Sequence, residues 1–201
     1  MAKYTQIPTD TFQKLQLNAG ILATQFTPSS GEMSAENIIG ATTGGVSFEA
    51  TPEYTDFGED IDNCPKNTKE LKKTDSWECI MSGSYVTMDT SIAKSVIGTA
   101  DIDTGNPTHV VPRNYVDQGD FKDIWWVGDY SDVNVDGKSN GTAGFIAIRL
   151  KNALSTGGFK VQSTDKEKGQ FEFEYTGHYS MANIDEVPFE LYIKSGAADS
   201  E

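Results

Sequence analysis

Apolar and polar residues alternate with a period of two in several short runs of this chain, a pattern typical of half-buried β-strands. The clearest run is Phe171–Tyr175, where aromatic rings occupy one face and carboxylates the other. Gly144–Leu150 and Val187–Ile193 continue the pattern, and Pro188 stands near a strand start, where a missing N–H is tolerable. Less regular alternation predicts further strands over Leu15–Phe26, Gly45–Ala50, Trp77–Met88 and Phe121–Tyr130.

One stretch predicts an α-helix. Asp89–Ser91 supplies N-cap candidates, apolar residues spaced four apart over Ile92–Ile97 share a face, and Gly98 follows as a stop. One short helix among six or more strands predicts a mainly β chain. We therefore expect a single domain over residues 1–201, an antiparallel β-sandwich or barrel with one flanking helix and a long inserted loop.

The inserted loop is the polar segment Thr51–Thr74, which carries an acidic run at Glu59–Asp62 followed by a group of lysines. A loop this long in a compact domain is usually functional or disordered. Doubled back as a hairpin of about 11 residues per arm, it would reach roughly 35 Å, enough to touch a neighbouring molecule. Its oppositely charged halves could pair within one chain or between chains. The terminal segments Met1–Ile7 and Ser195–Glu201 are expected to be loosely ordered.

The overall charge is acidic. Sixteen Lys and Arg residues oppose 30 Asp and Glu residues in 201, giving a net charge of −14, which disfavours a grip on nucleic acid or anionic lipid. The two cysteines, Cys64 and Cys79, do not form a disulfide framework. No signal peptide follows Met1 and no apolar run approaches 18 residues, so we expect a chain that folds in a reducing cytoplasm without a membrane span.

No catalytic constellation is visible. His109 and His178 do not have metal-ligand spacing, and His178 is expected to be a structural histidine. Cys64 and Cys79 have no CxxC partner, so buried or inert thiols are expected. Nucleophile elbows, Walker loops and dinucleotide fingerprints are also missing from the sequence. These observations predict a protein that is not an enzyme and needs no cofactor.

A partial calcium-loop pattern runs from Asp132 to Gly137, with Asp132, Asn134 and Asp136 as candidate oxygen ligands. The twelfth position is Ala143, where a bidentate Glu is required. Asp, Asn and Gly are also ordinary hairpin-tip residues. We therefore expect no metal site, with these three residues as the only metal candidates.

Four sequence segments carry a family resemblance: TPEYTDFGEDIDNCPKNTKELKK (Thr51–Lys73), FKDIWWVGDYSD (Phe121–Asp132), FIAIRLKNALSTGGF (Phe145–Phe159) and GQFEFEYTGHYSMANIDEVPFELYI (Gly169–Ile193). Together, across most of the chain from Leu15 to Ile193, they resemble the major tail tube proteins of long-tailed, non-contractile bacteriophages. The resemblance rests on the amino-acid sequences of these segments and on their order along the chain. Tubes of contractile tails and of phage-tail-like particles are related and stay open as alternatives.

The resemblance implies a structural virion protein that self-assembles into stacked hexameric rings around a tape-measure protein. Tail terminator and distal tail proteins would be further partners, and viral DNA would pass through the lumen without specific binding. The protein would be assembled in the bacterial host cytoplasm, with no membrane involved, and would reside in the virion tail. The isolated chain would be a monomer whose long loop becomes ordered on assembly.

The resemblance also implies site roles. The helix would pack on the outside or between neighbours. Six copies at −14 would carry −84 per ring, and these charges could line the lumen or coat the outside equally. Glu172 and Glu174 are candidate lumen-facing residues. The candidate inter-ring residues are Asp56, Phe57, Glu59, Asp60, Asp62, Lys66, Lys69, Lys72 and Lys73.

A second hypothesis is a carbohydrate- or calcium-binding β-sandwich module. Trp125 and Trp126 could stack on sugar rings if both were exposed. An adjacent tryptophan pair in a strand more often packs one ring inward and the other at an interface. Self-assembly without catalysis is therefore the function that the sequence favours.

Overall fold

The computed structural model describes residues 7–8, 11, 15–130 and 144–194. These residues form antiparallel strands, one α-helix (α1, Thr90–Ile97) and three short 3-10 turns at Ala35–Asn37, Lys69–Leu71 and Gln118–Asp120. The predicted fold class, mainly β with a single short helix, is confirmed. The strands are β1 (Gln16–Ala23), β2 (Ile38–Gly40), β3 (Thr42–Asp56), β4 (Lys72–Tyr85), β5 (Ala100–Ile102), β6 (Val110–Pro112), β7 (Lys122–Tyr130), β8 (Phe145–Ser155), β9 (Lys160–Gln162), β10 (Gln170–Thr176) and β11 (Phe189–Lys194).

Strand β8 links two sheets. Its first residues pair with β7 on one side and β11 on the other, whereas Leu154 and Ser155 pair with β10. The left-handed backbone of Asn152, at φ 47°, lies just before this change of partner. We call β2-β1-β7-β8-β11 the first sheet and β3-β4-β10-β9 the second sheet. Strands β5 and β6 form a separate two-stranded ribbon.

The main core lies between the two sheets and beneath α1. The alternation predicted for Phe171–Tyr175 is observed in β10, where Phe173 and Tyr175 are buried and Glu172 is exposed. Burying each such aromatic side chain contributes about 1.5–3 kcal/mol. The buried members of this core are Leu22, Cys79, Met81, Tyr85, Ile92, Val96, Ile124, Leu150, Ala153, Phe173 and Tyr175.

A second, smaller core covers the opposite face of the first sheet. The Phe26 ring, from the segment after β1, packs edge-on against Trp125 and Phe145, with ring centroids 5.7 and 4.9 Å away. Ala23 and Ala147 complete this cluster. The first sheet is thus packed on both faces.

The helix follows its sequence signals. The Asp89 carboxylate accepts a hydrogen bond from the Ile92 N–H at 2.7 Å, and Gly98 ends the helix with φ 83°. Ile92 and Val96, four residues apart, are the buried positions. The predicted helix and both of its end signals are therefore confirmed.

The strands around the predicted loop are longer than expected. The predicted strand Gly45–Ala50 extends to Thr42–Asp56, and β4 begins at Lys72, so much of Thr51–Thr74 is strand rather than loop. This part of β3 shows no clear apolar–polar period, because Thr51 and Glu53 alternate with Pro52 and with Tyr54, which is exposed. Strands β2, β5, β6 and β9 have three residues each, too few to show a period.

Candidate assembly surfaces

The hairpin β3–β4 is the longest pairing in the molecule. Its register runs from Thr42 opposite Tyr85 to Asp56 opposite Lys72, with irregularities beside Gly44–Gly45 and at Asp75. The chain between the arms, residues 57–71, we call the tip. All nine predicted inter-ring residues lie together here: Asp56 ends β3, Lys72 and Lys73 begin β4, and Phe57, Glu59, Asp60, Asp62, Lys66 and Lys69 belong to the tip.

Opposite charges in the tip pair within the chain. Lys66 lies 3.3 Å from Glu59, and Lys69 lies 3.3 Å from its neighbour Glu70. All four side chains are largely solvated, so each pair contributes at most about 1 kcal/mol. These pairs neutralise the tip locally rather than hold it together.

Three apolar side chains at the end of the hairpin face solvent. Tyr54, Phe57 and Ile61 are 53%, 59% and 51% exposed. The Lys72 ammonium lies 4.8 Å from the centroid of the Tyr54 ring. Three large exposed apolar side chains within eight residues of the chain make this end of the hairpin a candidate contact site.

The outward face of the second sheet is acidic. Predicted Glu172 and Glu174 lie on it, joined by Glu49, Glu53 and Glu78, which the sequence analysis missed. Glu172, Glu174 and Glu78 stand opposite Ser84, Ser82 and Thr51, while Glu53 faces Ser76 and Glu49 faces Ile80. We call these five glutamates and their neighbours the acidic face.

Within this register no glutamate stands directly opposite another, so the strongest like-charge repulsion is avoided. Hydroxyl groups hydrogen-bond several of the carboxylates: Ser76 Oγ donates to Glu53 at 2.9 Å, and Thr156 Oγ1 to Glu174 at 3.4 Å. Lys160 pairs with Glu172 at 3.5 Å. The face is therefore negative and hydroxyl-rich, with little apolar surface.

The second sheet has open edges. Across the described residues the 15-residue strand β3 pairs with β4 on one side only, and at the other end of the sheet the three-residue strand β9 pairs only with β10. Tyr175 and Thr176 of β10 pair with β8 on that same side. Unpaired strand edges are templates for pairing with another chain. The sequence does hold a signal for the acidic face. The alternation of apolar and polar residues in β3 places Phe48 and Ala50 on the core side and Glu49 on the outward side.

The outward face of the first sheet carries an ionic cluster. Arg149 donates to Asp123 at 2.6 Å and to Glu190 at 3.2 Å, and Lys151, which is 7% exposed, contacts Glu190 at 2.6 Å. Lys151 also donates to Glu186. Partial burial raises the pKa of Glu190, but hydrogen bonds from Lys151, Tyr192 and Arg149 outweigh it and lower that pKa to about 2.

The two tryptophans pack on opposite faces of the first sheet. Trp125 belongs to the smaller core, while Trp126 packs against the main core and donates its Nε1–H to the Ala19 carbonyl at 3.0 Å. The two rings thus form no common stacking platform, and both make contacts within the chain.

The remaining candidate residues have structural partners. His178 Nδ1 lies 3.1 Å from the Asn152 carbonyl oxygen, as expected for a structural histidine, and His109 lies 3.5 Å from Asp103. Both cysteines are free thiols, and burial, with Glu78 nearby, raises the pKa of Cys79 to about 11.

The candidate calcium ligands Asp132, Asn134 and Asp136 lie outside the described residues, as does most of each predicted tail. Among the described residues there is no group of three or more His, Cys, Asp or Glu side chains that could hold a metal ion. Within the same residues no helix is long and apolar enough to cross a membrane.

Comparison with known proteins adds no relative: no protein-family model matches the chain, and no curated protein matches it.

Proposed function

We propose that this chain is a structural subunit that assembles into stacked hexameric rings and forms the tail tube of a bacteriophage, the conduit for its genome. The observation that carries the proposal is the second sheet, which combines a long projecting hairpin, open edges and a face without an apolar layer. A module that binds its ligand as a monomer needs neither a projecting hairpin nor open sheet edges. The resemblance of the four sequence segments to tail tube proteins supports the same function.

In this proposal the acidic face lines the lumen. DNA carries about one negative charge per 1.7 Å of its axis. A wall bearing Glu49, Glu78 and Glu172 among small hydroxyl groups repels that polyanion and offers it little apolar surface. The genome therefore slides without adsorbing, and binding is neither sequence-specific nor required.

Ring closure uses the open edges of the second sheet. The edge of β3 in one copy lies beside β9 of the next, so that six second sheets form the wall of one ring. Ring closure places a neighbouring copy against the edge of the 15-residue strand β3 and so reduces its aggregation hazard. The first sheet, packed on both faces, forms the outer layer of the wall.

Stacking uses the hairpin. The tip and the adjoining end of β3, where Tyr54, Phe57 and Ile61 are exposed, contact the adjacent ring. A tape-measure protein, a tail terminator and distal tail proteins set the length and the ends of the tube. The chain acts by assembly, without catalysis, and its place is the virion tail.

Electron microscopy of concentrated protein tests this function. We expect rings and tubes with an open lumen from the intact chain. Deleting Asp56–Lys69 leaves Glu70 and Leu71 as a short turn, and we expect folded protein that forms single rings or monomers but no tubes. A protein that stays monomeric at all concentrations, even with its tail partners present, would overturn the proposal. Normal tubes from the deletion variant would overturn the role of the tip.

A further inference from the structure

The tip is closed by a single carboxylate. Asp56 Oδ1 accepts a hydrogen bond from the Gly58 N–H at 2.9 Å, and Asp56 Oδ2 accepts one from the Asn67 N–H at 2.7 Å. The first bond forms a local turn, whereas the second spans 11 residues and joins the two sides of the tip. One side chain thus ties both ends of the loop to the last residue of β3.

The tip also packs around its own interior. A Cβ atom on Gly58 would lie 3.2 Å from both Cys64 Sγ and Leu71 Cδ1, so the chain closes tightly on this glycine. The Phe57 N–H donates to the Leu71 carbonyl at 3.0 Å, and Thr68 Oγ1 donates to the Pro65 carbonyl at 2.8 Å. The single chain therefore contains a folded tip that needs no neighbour to define it.

The order of the tip matters for docking. Fixing the backbone of one residue costs about 1–2 kcal/mol of conformational free energy. A loop that becomes ordered on contact therefore loses about that much binding free energy for every residue that becomes ordered. A tip that is already folded holds Phe57 and Ile61 in place before contact. Preorganisation of this kind strengthens and speeds association.

We propose that Asp56 is the positioning residue that prefolds the tip, so that the tip docks on a second copy of this chain as a rigid element. This inference rests on the proposed tail tube function. It also differs from the expectation that assembly orders the loop, because the ordering step precedes assembly.

Two variants with the same charge change separate this role from the general effect of charge. Asp56→Asn keeps the size of the side chain but sets an amide N–H₂ against one of the two backbone donors. Asp60→Asn removes a charge from the same tip, and Asp60 makes no side-chain hydrogen bond or ion pair within the described part of the chain. Any difference between the two variants reflects the bonds of Asp56.

Backbone amide exchange in the dilute monomer is the first measurement. We expect the Gly58 and Asn67 amides to be protected in the intact chain and to exchange at least about tenfold faster in Asp56→Asn. The amide of Met81, in the core, serves as the internal control and should not change in either variant. Unprotected Gly58 and Asn67 amides in the intact monomer would overturn the inference.

Assembly is the second measurement, followed by electron microscopy and light scattering. We expect Asp56→Asn to need roughly tenfold more protein to form tubes, and Asp60→Asn to match the intact chain. Normal tube formation by Asp56→Asn would overturn this inference alone. Failure of the intact chain to form tubes would overturn the proposed function, and this inference with it.

Discussion

The two sheets use their outward faces differently. On the first sheet that face is covered by Phe26 and its neighbours and by the ionic cluster around Arg149. On the second sheet it is bare, with five glutamates placed opposite hydroxyl or aliphatic residues. Because this face adds nothing to a core, packing does not dictate its residues, and it carries an ordered pattern of charges. The predictions below test whether the two sheets differ as strongly in energy as in structure.

The largest difference is expected between two glycines with similar positive φ angles. Gly20 in the first sheet has φ 70°, and an added Cβ atom would lie 2.4 Å from Trp126 Nε1. Gly44 in the second sheet has φ 74°, and nothing lies within 4 Å of its added Cβ atom. Gly44→Ala should cost about 1–2 kcal/mol from backbone strain alone. Gly20→Ala should cost about 1–3 kcal/mol more, because the Trp126 ring must move.

Urea unfolding followed by tryptophan fluorescence measures both variants. A shifted emission maximum in the folded state of Gly20→Ala, but not of Gly44→Ala, is expected if the Trp126 ring moves. Equal losses of unfolding free energy in the two variants would show that packing on the first sheet is no tighter than on the second.

A smaller effect is expected from acid. Hydrogen bonds in the ionic cluster hold the pKa of Glu190 at about 2, below its ordinary value of 4.5. A carboxyl group with a lowered folded-state pKa stabilises the fold above its ordinary pKa, and this contribution is lost as the pH falls from about 4.5 to about 2. Partial solvation of the cluster reduces the contribution to about 1–2 kcal/mol.

Unfolding free energies of the intact chain, Glu190→Gln and Glu172→Gln between pH 7 and pH 2.5 measure this contribution. Glu190→Gln should be less stable at pH 7 and should lose less stability in acid. Glu172→Gln, on the acidic face, gives the general effect of removing one carboxylate. Parallel pH curves for all three proteins would contradict a stabilising role of the cluster.

The strands and the helix could be read from the sequence wherever apolar residues repeated on one face. Phe171–Tyr175 and Asp89–Gly98 are such cases, since each carries its own pattern or caps.

The ionic cluster could not be predicted, because Asp123, Arg149 and Glu190 come from three strands whose register only the fold defines. The acidic face was predicted only in β10, because the predicted strand Gly45–Ala50 ended before Glu53 and its alternation was not followed into β4. The closure of the tip by Asp56 depends on a contact 11 residues away and leaves no local signal.

The smallest effect on folding, and the most informative for function, is expected from reversing charge on the acidic face. Glu172→Lys with Glu174→Lys should lower the unfolding free energy by no more than about 1 kcal/mol, because both side chains point away from the core and the Lys160–Glu172 pair that is lost is largely solvated. Glu32→Lys with Glu36→Lys makes the same charge change outside the second sheet and is the matched control. If the acidic face lines the lumen, tubes of the first variant should retain double-stranded DNA at low salt and release it as salt rises, because lysines that neutralise phosphates make binding salt-dependent. Gel retention of assembled tubes measures this. The same weak retention by both variants would place the acidic face on the outside of the tube, and the lumen would then have to be sought on the first sheet.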